Sequence, residues 1–152
     1  RTMAATAENQ NEELLRILRE KYQDRIQGFL MPPPIFMEMQ GEVHAIDLEN
    51  NSLSIRFPVP ERYLNPYRIM QGGMIAAAID NALGPLSMLV APPNITRRLE
   101  VKYSQPVLVE MEYIIVQARL VERKEPKLLF EAKVFDPEGN RLATCKAVHW
   151  IV

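Results

Sequence analysis

Asp80 is a lone carboxylate in apolar surroundings. It lies in the stretch Gly72 to Val90, GGMIAAAIDNALGPLSMLV, where Asn81 and Ser87 are the other polar side chains. A helix that is apolar on every side is a buried one. A carboxylate inside it is either a charge with a hidden partner or a working group, and the work open to it is general-base catalysis. Seven residues before Asp80, Gly72 and Gly73 open the same stretch. The first N–H groups of a helix lack internal acceptors, and the helix dipole makes that end positive. Glycine lets a ligand oxygen come close to the backbone. Together these are the ingredients of an oxyanion site, although a tight turn with close packing would use the same two glycines. At 1.5 Å rise per residue Asp80 lies roughly 10 Å along the axis from Gly73. One helix therefore cannot place both groups on one reacting carbon, whereas a two-fold partner would set its own Asp80 opposite this chain's Gly72.

So apolar a stretch also raises the question of a membrane span. Asp80 would then sit near mid-bilayer at a cost of about 2.5–3.5 kcal/mol. The flanks carry Gly, Pro and alternating patterns rather than a basic anchor. The expectation is no span, and a helix enclosed by a sheet.

The elements that must position these groups follow from periodicity. Leu14, Leu15, Leu18, Tyr22, Ile26, Phe29 and Leu30 recur at helical spacing, which predicts an amphipathic helix from about Asn9 to Leu30, ended by Pro32-Pro33-Pro34. Met37 to Ala45 alternates as a strand. So does Leu53 to Val59 after the turn at Glu49-Asn50-Asn51, and together they read as a hairpin. His44 falls on its solvent face. Residues 58–73 are irregular, and the apolar helix is expected to bend or stop near Gly84-Pro85. Alternation then returns in three places: Arg97, Leu99, Val101 and Tyr103; Ile114 to Leu120; Leu128 to Val134. The turn Asp136 to Asn140 precedes a last strand whose Ala143, Cys145 and Ala147 would let a helix lie close. Cys145 reads as a core thiol. Strands, one long helix, then more strands is an α+β order with an antiparallel sheet.

Composition narrows the function. The chain has 152 residues, enough for one domain, taken here as an N-terminal helix and linker (1–35) and a core (36–152). A net charge of -1 argues against a dedicated nucleic-acid binder. One cysteine and two histidines, His44 and His149, leave little for a metal site, so none is expected. There is no basic-then-apolar leader pattern, and a cytoplasmic location is expected.

The run Asn65-Pro-Tyr-Arg-Ile-Met-Gln71-Gly72-Gly73, followed by Asp80, Thr96 and Tyr103-Ser104-Gln105-Pro106, resembles the hotdog-fold acyl-CoA thioesterases of the phenylacetate-pathway (PaaI-like) type. The resemblance covers roughly Met37 onward. It implies about five to six antiparallel strands wrapped around one long helix, here with an extra N-terminal helix. It also implies a homodimer or dimer of dimers that hydrolyses an acyl-CoA thioester without a cofactor. By resemblance Asp80 activates water or attacks the thioester, Gly72 donates its N–H to the carbonyl, Asn65 orients water or the carbonyl, and Thr96 assists. Gln71 and Gly73 flank that donor. Arg68, Tyr103 to Pro106, Arg123, Lys124 and Lys127 would face CoA. The family usually has His where this chain has Gln71, and Gly where it has Arg68. Two other classes compete. One is a non-catalytic acyl-CoA or lipid binder. The other is a hydratase or dehydratase, less favoured because those sites resemble a His with an acidic partner and neither His44 nor His149 lies near Asp80 in the motif.

Overall fold

Among the described residues six strands pair antiparallel in one sheet. The computed structural model describes residues 7–152, with side chains from Gln10 onward, so residues 1–6 of the expected N-terminal segment lie outside it. The order is α1 (Ala7–Tyr22), α2 (Pro34–Glu38), β1 (Glu42–Asp47), β2 (Ser52–Pro58), α3 (Gly72–Val90), β3 (Asn94–Tyr103), β4 (Tyr113–Lys124), β5 (Lys127–Phe135) and β6 (Arg141–Ile151). Spatial order is β1-β2-β4-β5-β6-β3, which leaves β1 and β3 as the two edges. This is the α+β arrangement expected, with the long helix packed on the sheet.

Alternation explains most of the core. Leu53, Ile55 and Phe57 of β2, Ile114, Val116 and Ala118 of β4, and Leu128, Phe130, Ala132 and Val134 of β5 are buried together with Ile75, Ala78, Ile79, Ala82, Leu83 and Leu86 of α3. The small residues Ala143, Cys145 and Ala147 of β6 are buried as expected. Burial also pushes the Cys145 thiol up to about 11, so the sulfur stays protonated and inert.

Three expectations need correction. The first helix ends at Tyr22 and continues only as a 3-10 turn over Gln23–Gly28. Residues Pro34–Glu38 form a short helix rather than the start of a strand, because proline suits a first helical position. α3 passes through Pro85 to Val90 without stopping.

α1 is fastened at both ends. Asn11 donates to the Gly41 carbonyl (3.1 Å) and accepts from the Val43 N–H (2.6 Å) beside β1. At its other end Lys21 Nζ reaches the carbonyls of Met88 (2.6 Å) and Ala91 (2.8 Å), and the Tyr22 hydroxyl donates to Met88 at 2.9 Å. The last carbonyls of a helix have no internal donor, so α1 supplies donors at the end of α3.

α3 is long and apolar enough, by length and composition, to cross a membrane, but here it is the helix on the sheet. It is not covered on every side as its sequence suggested. Ala76, Ala77, Asp80, Asn81, Gly84 and Pro85 are only half-buried.

Candidate active site

A bulge in β3 shapes the surroundings of Asp80. The β3–β6 register runs Thr96 opposite His149, then Arg98 opposite Val148, so Arg97 is an extra residue. A bulge re-aims the side chains beside it. Unbroken alternation would group Thr96 with Arg98 and Glu100. Instead Thr96 turns toward α3, and its hydroxyl lies 3.0 Å from Asp80 Oδ1. Arg97 leaves the Leu99 face and stacks 4.8 Å from the Trp150 ring.

His149 was not expected here, and the structure corrects that reading. Nε2 lies 3.3 Å from Thr96 Oγ1, and Nδ1 lies 2.8 Å from Asn94 Oδ1. Asn94 Nδ2 donates to the Pro92 carbonyl at 2.9 Å. The Asn94 oxygen is therefore the acceptor, and the His149 proton sits on Nδ1. His149 is buried, with its ring centroid 4.7 Å from that of Phe130. Burial lowers its pKa, and the nearby Asp80 opposes the shift. The residue was legible in principle, since extending Ala143, Cys145, Ala147 by one more period of two reaches His149 on the same face.

With His149 neutral, Nε2 carries a lone pair. The single Thr96 proton is then contested by Nε2 and by Asp80. With His149 protonated, Nε2–H donates to Thr96 and the Thr96 proton goes to Asp80. The state of one buried ring thus selects which way the hydroxyl beside the carboxylate points.

Other residues expected at the site line a separate cleft of about 290 Å³, among them Asn65, Gly72, Tyr103, Ser104, Gln105 and Pro106. The Tyr103 hydroxyl donates to the Gly72 carbonyl at 2.7 Å. A Cβ on Gly72 would meet the Tyr103 ring at 3.3 Å, a contact tight enough that the ring would have to shift by a few tenths of an ångström. Asn65 Oδ1 accepts the N–H groups of Tyr67 (2.9 Å) and Ile69 (3.1 Å), which leaves its Nδ2 as the outward donor. Arg68 has φ +64, a left-handed conformation that glycine adopts most readily. That accounts for the glycine the resemblance expects there. Gln71 is exposed at the helix start, where its carbonyl accepts from Met74 at 2.9 Å. Gly73 follows, also exposed.

The basic hairpin stands apart from this cleft. Arg123 pairs with Glu125, and Lys127 lies 5.7 Å from the Trp150 ring that Arg97 also covers. Lys124 is exposed at the end of β4. One chain therefore brings Asp80 to Thr96, and Asn65 and Gly72 to Tyr103 through Pro106. It holds these two groups in different clefts. Among the described residues no cluster of His, Cys, Asp and Glu could hold a metal ion.

No family model matches the chain, and no curated protein matches it. Solved structures do. A phenylacetic acid degradation-related protein from Ralstonia eutropha JMP134 superposes with a TM-score of 0.75 at 22% identity, over 86% of this chain and 98% of that one. The E. coli PaaI protein from the phenylacetic acid degradation operon gives 0.74 at 8% identity, over 94% and 96%. A Streptococcus mutans UA159 protein bound to acetyl-CoA gives 0.68 at 14%, over 74% and 88%. At these identities the likeness establishes the fold, which is the hotdog fold.

Proposed function

We propose that this protein hydrolyses an acyl-CoA thioester to the free acid and CoA, at a site completed by two copies of the chain. The observation that carries the reading is the Asp80–Thr96 pair, a carboxylate held by a hydroxyl at 3.0 Å on the wall of a largely apolar cavity. The acetyl-CoA bound to the Streptococcus mutans relative in fold supports CoA thioesters as the substrate class.

Asp80 takes a proton from water as the water oxygen attacks the thioester carbon. The carbonyl oxygen receives the displaced electron pair, and the Gly72 N–H of a second copy is assigned to hold it. Collapse breaks the carbon–sulfur bond, and the leaving thiolate recovers the proton from Asp80. Water is the only co-reactant. Asn65 donates through Nδ2, since its oxygen is already committed to the loop. Thr96 fixes the carboxylate, and His149 sets the direction of the Thr96 proton.

Pairing of two copies is supported by what one copy leaves open. The β3 edge is unpaired, Ile95 on it is 51% exposed, and the adjoining face of α3 is half-covered. The hydratase alternative draws no support from His149, because both of its ring nitrogens are engaged within the protein. Release of free thiol across a panel of acyl-CoAs tests the proposal. Turnover with at least one chain length is expected, and binding without turnover across the panel would leave a lipid-binding protein instead.

A further inference from the structure

Asp80, Thr96 and His149 line one cavity of about 800 Å³, and most of the rest of its wall is apolar. That volume is within the range of small-molecule sites. The cavity follows α3 from Asp80 past Gly84 and Pro85 to Met88, a length of about 12 Å at helical rise. Leu15 and Leu18 of α1 line the same cavity, as do Met31 and Ile35. α1 is held in place by Asn11 at one end and by Lys21 and Tyr22 at the other. The space it covers is thus a cavity whose wall is mostly apolar, with the Asp80–Thr96–His149 group at one point and scattered polar side chains such as Asn11, Gln40 and Asn94 elsewhere on it.

We infer that this cavity takes the acyl chain of the substrate, and that the chain is linear, aliphatic and of medium length. The inference rests on the thioester-hydrolase reading for which bond lies at Asp80. A length of about 12 Å accommodates roughly ten extended carbons, whereas a single aromatic ring would leave most of it empty. Methionine is unbranched and adaptable, and Met31, Met37 and Met88 all line the space. Each methylene moved from water into such a wall favours binding by roughly fourfold. Selectivity should therefore climb with chain length until the cavity is full.

Gly84 supplies the test. A Cβ built there meets nothing within 4 Å, so a side chain at this position grows into open space rather than into the core. It stands one turn beyond Asp80, about 6 Å along the helix. Gly84→Phe should shorten the cavity, and Leu15→Trp should narrow it from the α1 side. Two readouts are taken on wild-type and both variants, with melting temperature as a check on folding. The first is the ratio of kcat/KM for decanoyl-CoA over butyryl-CoA, with phenylacetyl-CoA assayed alongside. The second is calorimetric binding of decanoate alone. The inference expects the wild-type ratio to exceed 10, Gly84→Phe to lower it at least tenfold, and decanoate to bind wild-type but not that variant. Preference of the wild-type for butyryl-CoA or phenylacetyl-CoA, or a ratio untouched by both substitutions, overturns the inference while leaving the hydrolase reading standing. If no thioester is cleaved but decanoate binds and Gly84→Phe abolishes it, the hydrolase reading fails and the cavity assignment survives.

Discussion

Thr96 and His149 meet across the β3–β6 pair with Oγ1 and Nε2 3.3 Å apart. The hydroxyl that touches Asp80 therefore touches a buried imidazole as well, and its single proton cannot serve both. Thr96→Val keeps the shape and removes the proton. It should lower kcat about tenfold, the scale of one lost hydrogen bond at roughly 1.4 kcal/mol, while Thr96→Ser retains most activity. His149→Phe should reduce kcat less and alter the acid limb of the pH profile. Wild-type kcat in Thr96→Val would remove the hydroxyl from the mechanism.

A pH dependence of stability follows from the same ring. Burial depresses the folded-state pKa of His149 below its ordinary 6.5. Above that value the residue is neutral in both states, and its contribution is fully present. As pH falls below it, the unfolded chain gains a proton that the folded protein does not, so stability declines until the folded-state pKa is reached. Melting curves between pH 8 and 5 should show this loss in the wild-type and a shallower one in His149→Phe. Parallel curves for the two proteins would mean that another group governs the acid side.

The assembly prediction comes from the two clefts. If Asp80 of one copy works with Gly72 of another, a chain carrying both Asp80→Asn and Gly72→Val is inactive. Paired with wild-type, it puts one defect into each of the two shared sites, whereas sites complete within one chain would leave one of the two intact. Co-expressed, separately tagged chains purified as mixed dimers should then show either near-half activity or almost none. The shared-site account expects almost none, because each site then takes one damaged half. Mixed dimers at half the wild-type rate would place a complete site within one chain, as would a fully active monomer in sedimentation.

The sequence carried the fold further than it carried the site. The start of α3, the hairpin β1–β2 and the alternation of β4 and β5 were legible because burial of one face imposes a simple period. The bulge at Arg97 was not. It inserts a residue without leaving a mark in composition, and it moved Thr96 to the opposite face from the one alternation assigns. A similar register shift between Val43 and Ala45 leaves Ala45 exposed although unbroken alternation would place it beside Val43. His149 is far from Asp80 along the chain, and only sheet pairing, which brings β6 beside β3, puts it near the carboxylate. Pro85 misled in the other direction, since tertiary packing holds α3 together across a residue that would break an isolated helix.

Charge at the nucleotide end makes a further prediction. The resemblance implies that Arg68, Arg123, Lys124 and Lys127 face the CoA phosphates, and Arg123 is already paired with Glu125. Neutralising Arg123, Lys124 and Lys127 together should raise KM for acyl-CoA about three- to tenfold, with a weaker effect at high salt. KM for a short thioester lacking the nucleotide should stay unchanged. Equal rises on both substrates would assign the hairpin a role unrelated to phosphate.

Asp80→Asn tests the central claim most directly. The substitution preserves shape and keeps an oxygen for the Thr96 hydroxyl, but it cannot take a proton from water. Single-preparation measurements of melting temperature, CoA binding and kcat on the preferred acyl-CoA separate a chemical role from a structural one. Hydrolysis dependent on Asp80 predicts an unchanged fold, retained CoA binding and a kcat lower by at least ~10²-fold. A folded Asp80→Asn protein that turns over at the wild-type rate would contradict it.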